Sequence, residues 1–435
     1  MLKNLSQILP ILTTFVLLFG QVSSFGNSES DSTTKNDTLA FPEKLPAKDT
    51  WEHIISAPGY ALNFPFWVTH KLIEKSIYFV DEKKIVPKIR RILVSQDGTR
   101  VIMPTFIERV GAGVRVRKTE YLGNKSTILT GGNYGSDHRH GLHLHLLEVP
   151  LYQKLHLNFT SDYENLVEER YYGTGSQTKS ADISNYRNAQ IISKAELCFG
   201  LLKKLTLNLS GSYNYHNVTE GKNEVDDDDG PPTNIKYPFQ TIGKGFEPHI
   251  NIASLSVGAT LNRLKPEGHP IKGTAADVSY ALFQEMGHGN YGFSKTTLDL
   301  KQYFHLFYDR TVMFRLNSNV IRPLRNENIP FFYLSEIGET GTVRGYKRGR
   351  FRDRDRLMGT IEYRYPIWSP SWRVIEMVVF SDIGQVAHNI FTDLEAENFF
   401  FGYGFGLRMY TELGRVLNFE VGFSDERIRV YFALN

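Results

Sequence analysis

The densest run of histidines in this chain is Asp137-His138-Arg139-His140 followed by His143-Leu144-His145. Two histidines at i and i+2 of a strand share a face, and imidazole nitrogen suits zinc or copper. The local pattern puts no carboxylate on that face, so the expectation is a pair of inward-facing or rim imidazoles and no metal site. Asp226 to Asp229, followed by Gly230-Pro231-Pro232, gathers carboxylates in a long loop. Such oxygen-rich loops can hold calcium, but acidic runs are usually solvated. Lys347 to Arg356 carries six basic residues and two acids, a segment suited to an anionic surface or a polar interior. There is no Gly-x-Ser-x-Gly elbow, phosphate loop or dinucleotide fingerprint. Serines and histidines abound, yet nothing singles out a set at one depth. The expectation is therefore no catalytic residue, no cofactor and no enzyme activity.

The elements that position these residues are legible in the composition. The chain has 435 residues with 50 Lys plus Arg against 47 Asp plus Glu, a formal net charge of +3. That balance argues against a nucleic-acid binder, which needs a marked basic excess. One cysteine, Cys198, excludes an internal disulfide framework and any cysteine-based zinc site. With 36 Gly, 23 Tyr and 29 Phe, and no long apolar run in its body, the chain reads as many short strands.

Residues 1–24 read as a signal peptide. Lys3 gives the positive start, Ile8 to Phe19 a short apolar core, and Val22-Ser23-Ser24 small residues at a cleavage site. The core is too short to span a bilayer as a helix, which takes about 20 apolar residues. Residues 25–40 are polar and read as a flexible leader. Residues 41–98 form a periplasmic or interfacial segment. Within it Phe66, Trp67, His70, Ile73, Ile77 and Val80 recur at helical spacing, predicting an amphipathic helix.

From residue 99 onward, period-two alternation keeps returning. Leu142, Leu144 and Leu146 alternate with Gly141, His143 and His145. Leu205, Leu207, Leu209 and Tyr213 alternate with small polar residues, and Tyr403, Phe405, Leu407 and Met409 with Gly402, Gly404, Gly406 and Arg408. One face is apolar and aromatic; the other carries glycine, charge and small polar groups. A transmembrane barrel requires this pattern, because apolar side chains meet lipid while closure satisfies the backbone hydrogen bonds. The segments fall near 99–107, 111–119, 126–134, 139–148, 151–161, 187–199, 203–215, 250–262, 274–284, 294–305, 311–321, 356–366, 373–382, 402–411, 415–423 and 427–435. The predicted fold is all-β, a transmembrane antiparallel barrel of about sixteen strands over residues 99–435.

One succession of residues adds a family resemblance. Gly341-Thr342-Val343-Arg344-Gly345-Tyr346 precedes Phe351-Arg352-Asp353-Arg354-Asp355-Arg356 and Gly359-Thr360-Ile361-Glu362-Tyr363-Arg364-Tyr365-Pro366. Phe380-Ser381-Asp382-Ile383-Gly384 and Gly402-Tyr403-Gly404-Phe405-Gly406-Leu407-Arg408 follow. This order resembles the Omp85 superfamily, the bacterial surface antigen D15 domain, which takes in BamA, TamA and the TpsB secretion pores. The resemblance implies a sixteen-stranded barrel whose loop 322–355 folds into the lumen. It further implies that Arg344 of Val343-Arg344-Gly345-Tyr346 pairs with Asp382 of the Asp382-x-Gly384 strand, with Glu362 a neighbouring lumen acid. A guanidinium offers planar bidentate donors to a carboxylate, which suits such a lock.

The chain departs from the family pattern in having no clear POTRA module before the barrel. The expected location is the outer membrane of a Gram-negative bacterium, with the N-terminal segment periplasmic. The expected function is translocation or insertion of protein or lipid clients, with a separate periplasmic protein partner. The alternative is a non-conducting barrel that anchors a surface or periplasmic complex. Outer-membrane lipid and lipopolysaccharide are the expected surroundings, and nucleic acid is not expected.

Overall fold

Strands with one apolar and one polar face can bury neither in isolation; closing the sheet gives lipid one side and a polar lumen the other. In the computed structural model the described residues are 93–434, except 108, 124, 223–229, 238–244, 267, 288, 326, 370–372 and 412–413. The expected signal peptide, leader, amphipathic helix and acidic run 226–229 lie outside them. The chain divides into two units, Met1–Gly98 and Thr99–Asn435. Of the first, the described part is a turn in which the Gly98 N–H donates to the Ser95 carbonyl at 3.0 Å.

The second unit is the barrel. Its strands are β1 (Arg100–Ile107), β2 (Gly111–Thr119), β3 (Thr127–Tyr134), β4 (His140–Tyr152), β5 (Leu155–Tyr171), β6 (Ser184–Leu202), β7 (Leu205–Glu220) and β8 (Ile250–Asn262). There follow β9 (Gly273–Glu285), β10 (Gly292–His305) and β11 (Thr311–Pro323). A separate hairpin, β12 (Ser335–Ile337) and β13 (Phe351–Asp353), then forms inside a connecting loop. The wall resumes with β14 (Asp355–Trp368), β15 (Arg373–Ala387), β16 (Phe400–Thr411), β17 (Gly414–Phe423) and β18 (Ile428–Leu434). Apart from that hairpin, sixteen strands close in sequence order, each antiparallel to its neighbours, with β18 returning to β1.

Polarity is inverted relative to a soluble protein. Leu142, Leu144, Leu207, Leu209, Leu255, Val257, Phe314, Leu316 and Ile361 are exposed, while His143, Asn214, Asn317, Glu362, Asp382, Arg408 and Glu420 are buried. Three strands run further than the apolar alternation indicates. β5, β6 and β7 span 17, 19 and 16 residues. A membrane strand needs only about 9–11. The added parts, such as Glu168-Glu169-Arg170, carry charge rather than alternation, and backbone pairing extends them beyond a lipid-facing band.

The connections segregate by length. The long ones, 172–183, 221–249, 324–354 and 388–399, share one end of the barrel. The opposite end has short turns, the longest being 263–272. Among the described residues the seam is the most sparsely paired junction: β1 and β18 share one register pair there, Phe106↔Leu434, whereas β1 pairs with β2 from Arg100 to Ile107. Pro104, which cannot donate a ladder hydrogen bond, lies in this strand, as suits an edge.

Candidate functional site

The loop from 324 to 354 turns into the lumen and is held there by a seat of missing side chains and a buried charge network. The seat comes from glycines that the strand alternation aims inward. A Cβ on Gly402 of β16 would overlap the Arg344 carbonyl, and one on Gly422 of β17 would lie 2.9 Å from the Gly345 nitrogen. Gly384 of β15 faces Val343 in the same way, 3.0 Å from its Cγ2. Gly345 itself has φ of +102°, and a Cβ there would meet the Phe423 backbone at 2.7 Å. Only glycine reaches this conformation without strain, so the chain reverses tightly at that point.

Arg344 fills the seat. Its Nε and Nη2 donate to the two oxygens of Asp382 at 2.7 and 2.8 Å, and its backbone N–H donates to the same carboxylate at 3.1 Å. Its Nη1 donates to Glu362 and to Glu420, each at 3.1 Å. The guanidinium lies over the Phe380 ring, 3.4 Å from its centroid. Asp382 is fully buried, and Arg344 and Glu362 are each 3% exposed. Val343 and Tyr346 pack with Ile337, Phe351 and Val386 in one apolar cluster above this pair.

The network continues down the wall. Arg408 of β16 clamps Glu362 through both terminal nitrogens at 2.8 Å and reaches Glu420 at 2.5 Å. Arg364 donates to Glu362 at 3.0 Å and lies 3.8 Å from Glu376. His269, from turn 263–272 at the opposite end, places Nε2 2.8 Å from Glu376. A continuous charged path thus links the lumen loop to a turn at the other mouth. Charges removed from water need partners of opposite sign, since each unpaired one costs several kcal/mol.

Further ties fix the rest of the loop. The Gly345 N–H donates to the Tyr431 hydroxyl on β18 at 2.9 Å, and Tyr346 donates to Asp425 at 2.6 Å. Arg350 donates to Glu426 at 2.7 Å and to the Thr178 carbonyl at 2.7 Å. Arg352 donates to Glu336 at 2.8 Å across the β12–β13 hairpin. Burial pushes the Glu336 carboxyl up, but Arg352, Arg348 and Arg109 outweigh it and hold it at about 2. Arg322 and Asp355 join the loop's two bases, the latter also accepting from the Ile321 and Ile390 N–H groups at 3.0 Å. Within the basic run 347–356, Arg348, Arg350 and Arg352 thus pair with acids of the lumen and its rim.

The structure brings Val343, Arg344, Gly345, Tyr346, Glu362, Asp382 and Gly384 into one constellation. Sequence reasoning did not select Arg408, Glu420, Tyr431 or His269. Arg408 and Glu420 had a readable signal, since alternation put both on the inward faces of adjoining strands. Only the β16–β17 register, with Arg408 opposite Asn418 and Gly406 opposite Glu420, sets them together.

Residues 121–433 match the Omp85 superfamily domain. The chain belongs to the Omp85 superfamily. It is an outer-membrane β-barrel protein. The fold is similar to that of BamA from Haemophilus ducreyi lacking POTRA domains 1–3, at 16% identity and a TM-score of 0.55, over 77% of this chain and 70% of that one. It is also similar to CdiB from Escherichia coli, at 12% identity and a TM-score of 0.51, over 77% of this chain and 61% of that one. The chain thus spans about three fifths of the CdiB structure. No curated protein matches the sequence. In this Omp85 barrel the loop between β11 and β14 carries the Arg344 constellation.

Proposed function

We propose that this barrel translocates or inserts protein or lipid clients at the outer membrane, working with a separate periplasmic partner and without enzymatic activity. The observation that carries the reading is the lumen loop held on Asp382, Glu362 and Glu420 by one arginine. The same loop is tied through Gly345 to Tyr431 on β18, the strand that closes the weakly paired seam. Loop position and seam closure are thereby mechanically joined. A client passing through or leaving sideways must disturb one or both.

The test locks the seam. Phe106→Cys with Leu434→Cys places thiols at register partners, and oxidation fixes β1 to β18. In a depletion strain carrying this variant, the outer-membrane proteome is compared under oxidising and reducing conditions. The proposal expects client proteins to fall only when the seam is locked. Unchanged client levels with a fully formed crosslink reject an opening seam. A wide fall across other barrels identifies general assembly; a fall of one or a few proteins identifies a dedicated carrier.

The second reading, a permanently plugged anchor, is favoured by the number of ties on the loop, which reach strand β15, the β17–β18 turn and the connection 172–183. An anchor expects Arg344→Ala to alter stability but leave bilayer conductance unchanged. It expects deletions in loop 172–183 or 388–399 to abolish partner binding.

A further inference from the structure

Away from the lumen loop, the wall formed by β4 and β5 carries a second built cluster. His143 and His145 share the inward face of β4. Asp162 of β5 stands directly opposite His143 in register. Its Oδ1 lies 2.7 Å from His143 Nδ1 and 2.8 Å from His145 Nε2, so two imidazole nitrogens converge on one carboxylate oxygen. One ligand atom from each of the three lies within 4.8 Å of the others.

The His143 ring is seated rather than loose. Its side chain is 5% exposed. Its Nε2 is buried without a hydrogen-bond partner, over the bare Cα of Gly141, where a Cβ would lie 3.3 Å away. That packing directs Nδ1 toward Asp162. His145 and Asp162 remain 23% and 32% exposed on their side chains, so the cluster opens to the lumen. Within the cluster two borderline nitrogens and one carboxylate converge, leaving a coordination position open to solvent. This donor set suits zinc or copper, not calcium or magnesium, which take oxygen ligands.

We propose that His143, His145 and Asp162 form a binding site for one divalent transition ion, zinc or copper, on the lumen wall. The ion joins β4 to β5 from inside and presents an open position to whatever enters the lumen. Arg115 of β2 stands in the same register row as His143 and Asp162, through Gly131 of β3, so its positive charge opposes a cation there.

The experiment uses the full-length protein folded in detergent, purified on a tag without histidine and stripped with EDTA. Binding of Zn2+ alone and Cu2+ alone is measured by titration calorimetry, with copper EPR as the second readout. The proposal expects one tight equivalent, nitrogen hyperfine structure in the copper spectrum, and affinity at least about 100-fold weaker in His143→Ala with His145→Ala. Asp162→Asn weakens binding while retaining nitrogen ligation, and Arg115→Gln tightens it. Heat-dependent gel mobility checks that each variant is folded. No tight equivalent in the parent protein overturns the proposal. So does a site that survives in the double variant, which would place it elsewhere, for instance on His138 and His140 at the rim.

Discussion

Arg344→Ala is the most informative single perturbation. Arg344 makes three donations to Asp382 and one each to Glu362 and Glu420. After truncation Glu362 and Glu420 keep Arg408, and Glu362 also keeps Arg364. Asp382, fully buried, keeps only the backbone N–H of residue 344 among its side-chain and backbone donors on the described residues. The loss therefore falls mainly on Asp382. Removing one partner of a buried ion pair costs about 3–5 kcal/mol. At about 1.4 kcal/mol per factor of ten, the ratio of docked to released loop falls by roughly 10²- to 4 × 10³-fold. Hydrogen exchange with mass analysis reads this directly on peptides covering 338–352, since the 344 and 345 amides are protected by Asp382 and Tyr431. Arg344→Ala with Asp382→Ala should lose less than the sum of the single changes, because the pair of substitutions leaves no lone buried charge. If protection in 338–352 changes by less than about threefold, the ties from Tyr346 and Arg350 hold the loop alone and the lock reasoning fails. Strict additivity in the double variant would refute it equally.

Other expectations are independent of that one. Gly402→Ala forces a methyl into the Arg344 carbonyl, so it should release the loop as far as Arg344→Ala while leaving every charged side chain in place; unchanged protection in that variant contradicts the seat. Tyr431→Phe strips the acceptor from the buried Gly345 N–H and should lower loop stability by about 1–3 kcal/mol, read by the same exchange at residue 345. Glu336 has its carboxyl depressed in the folded loop, so it contributes stability that is full above its unfolded value near 4.3 and is lost as pH falls towards about 2. Protease sensitivity of the β12–β13 hairpin should accordingly rise as pH falls between those values in the parent protein, and Glu336→Gln should flatten the profile. His269→Ala removes the partner of Glu376 from the opposite mouth and should raise the exchange of turn 263–272 while leaving 338–352 unchanged; coupled changes would mean the charged path transmits between the mouths.

Much of this architecture is readable from residue order. Period-two alternation depends on nearest neighbours along the chain, so every observed barrel strand is overlapped by one of the sixteen expected segments, although segment 151–161 begins before the β4–β5 turn. Where local alternation stops, that signal stops too: the upper parts of β5, β6 and β7 are strands because a neighbour pairs with them, not because of their own pattern. The Arg344 constellation is indicated by the order of motifs, and the inward aim of Glu362, Asp382 and Arg408 by strand parity.

Partners across strands are a different matter. Asp162 escapes notice beside His143 and His145 because nothing in residues 137–145 specifies which residue of β5 stands opposite. Glu420 and Tyr431 escape for the same reason, and His269 because a turn crossing the barrel mouth leaves no periodic trace. Residue order already says which face of each strand meets lipid and which meets the lumen, since that is a matter of polarity at alternate positions. Register and closure exist only in the folded barrel, and with them which carboxylate meets which arginine or imidazole. Those choices depend on hydrogen-bonded pairing between residues far apart in the chain, from Gly345 to Tyr431 and from His269 to Glu376.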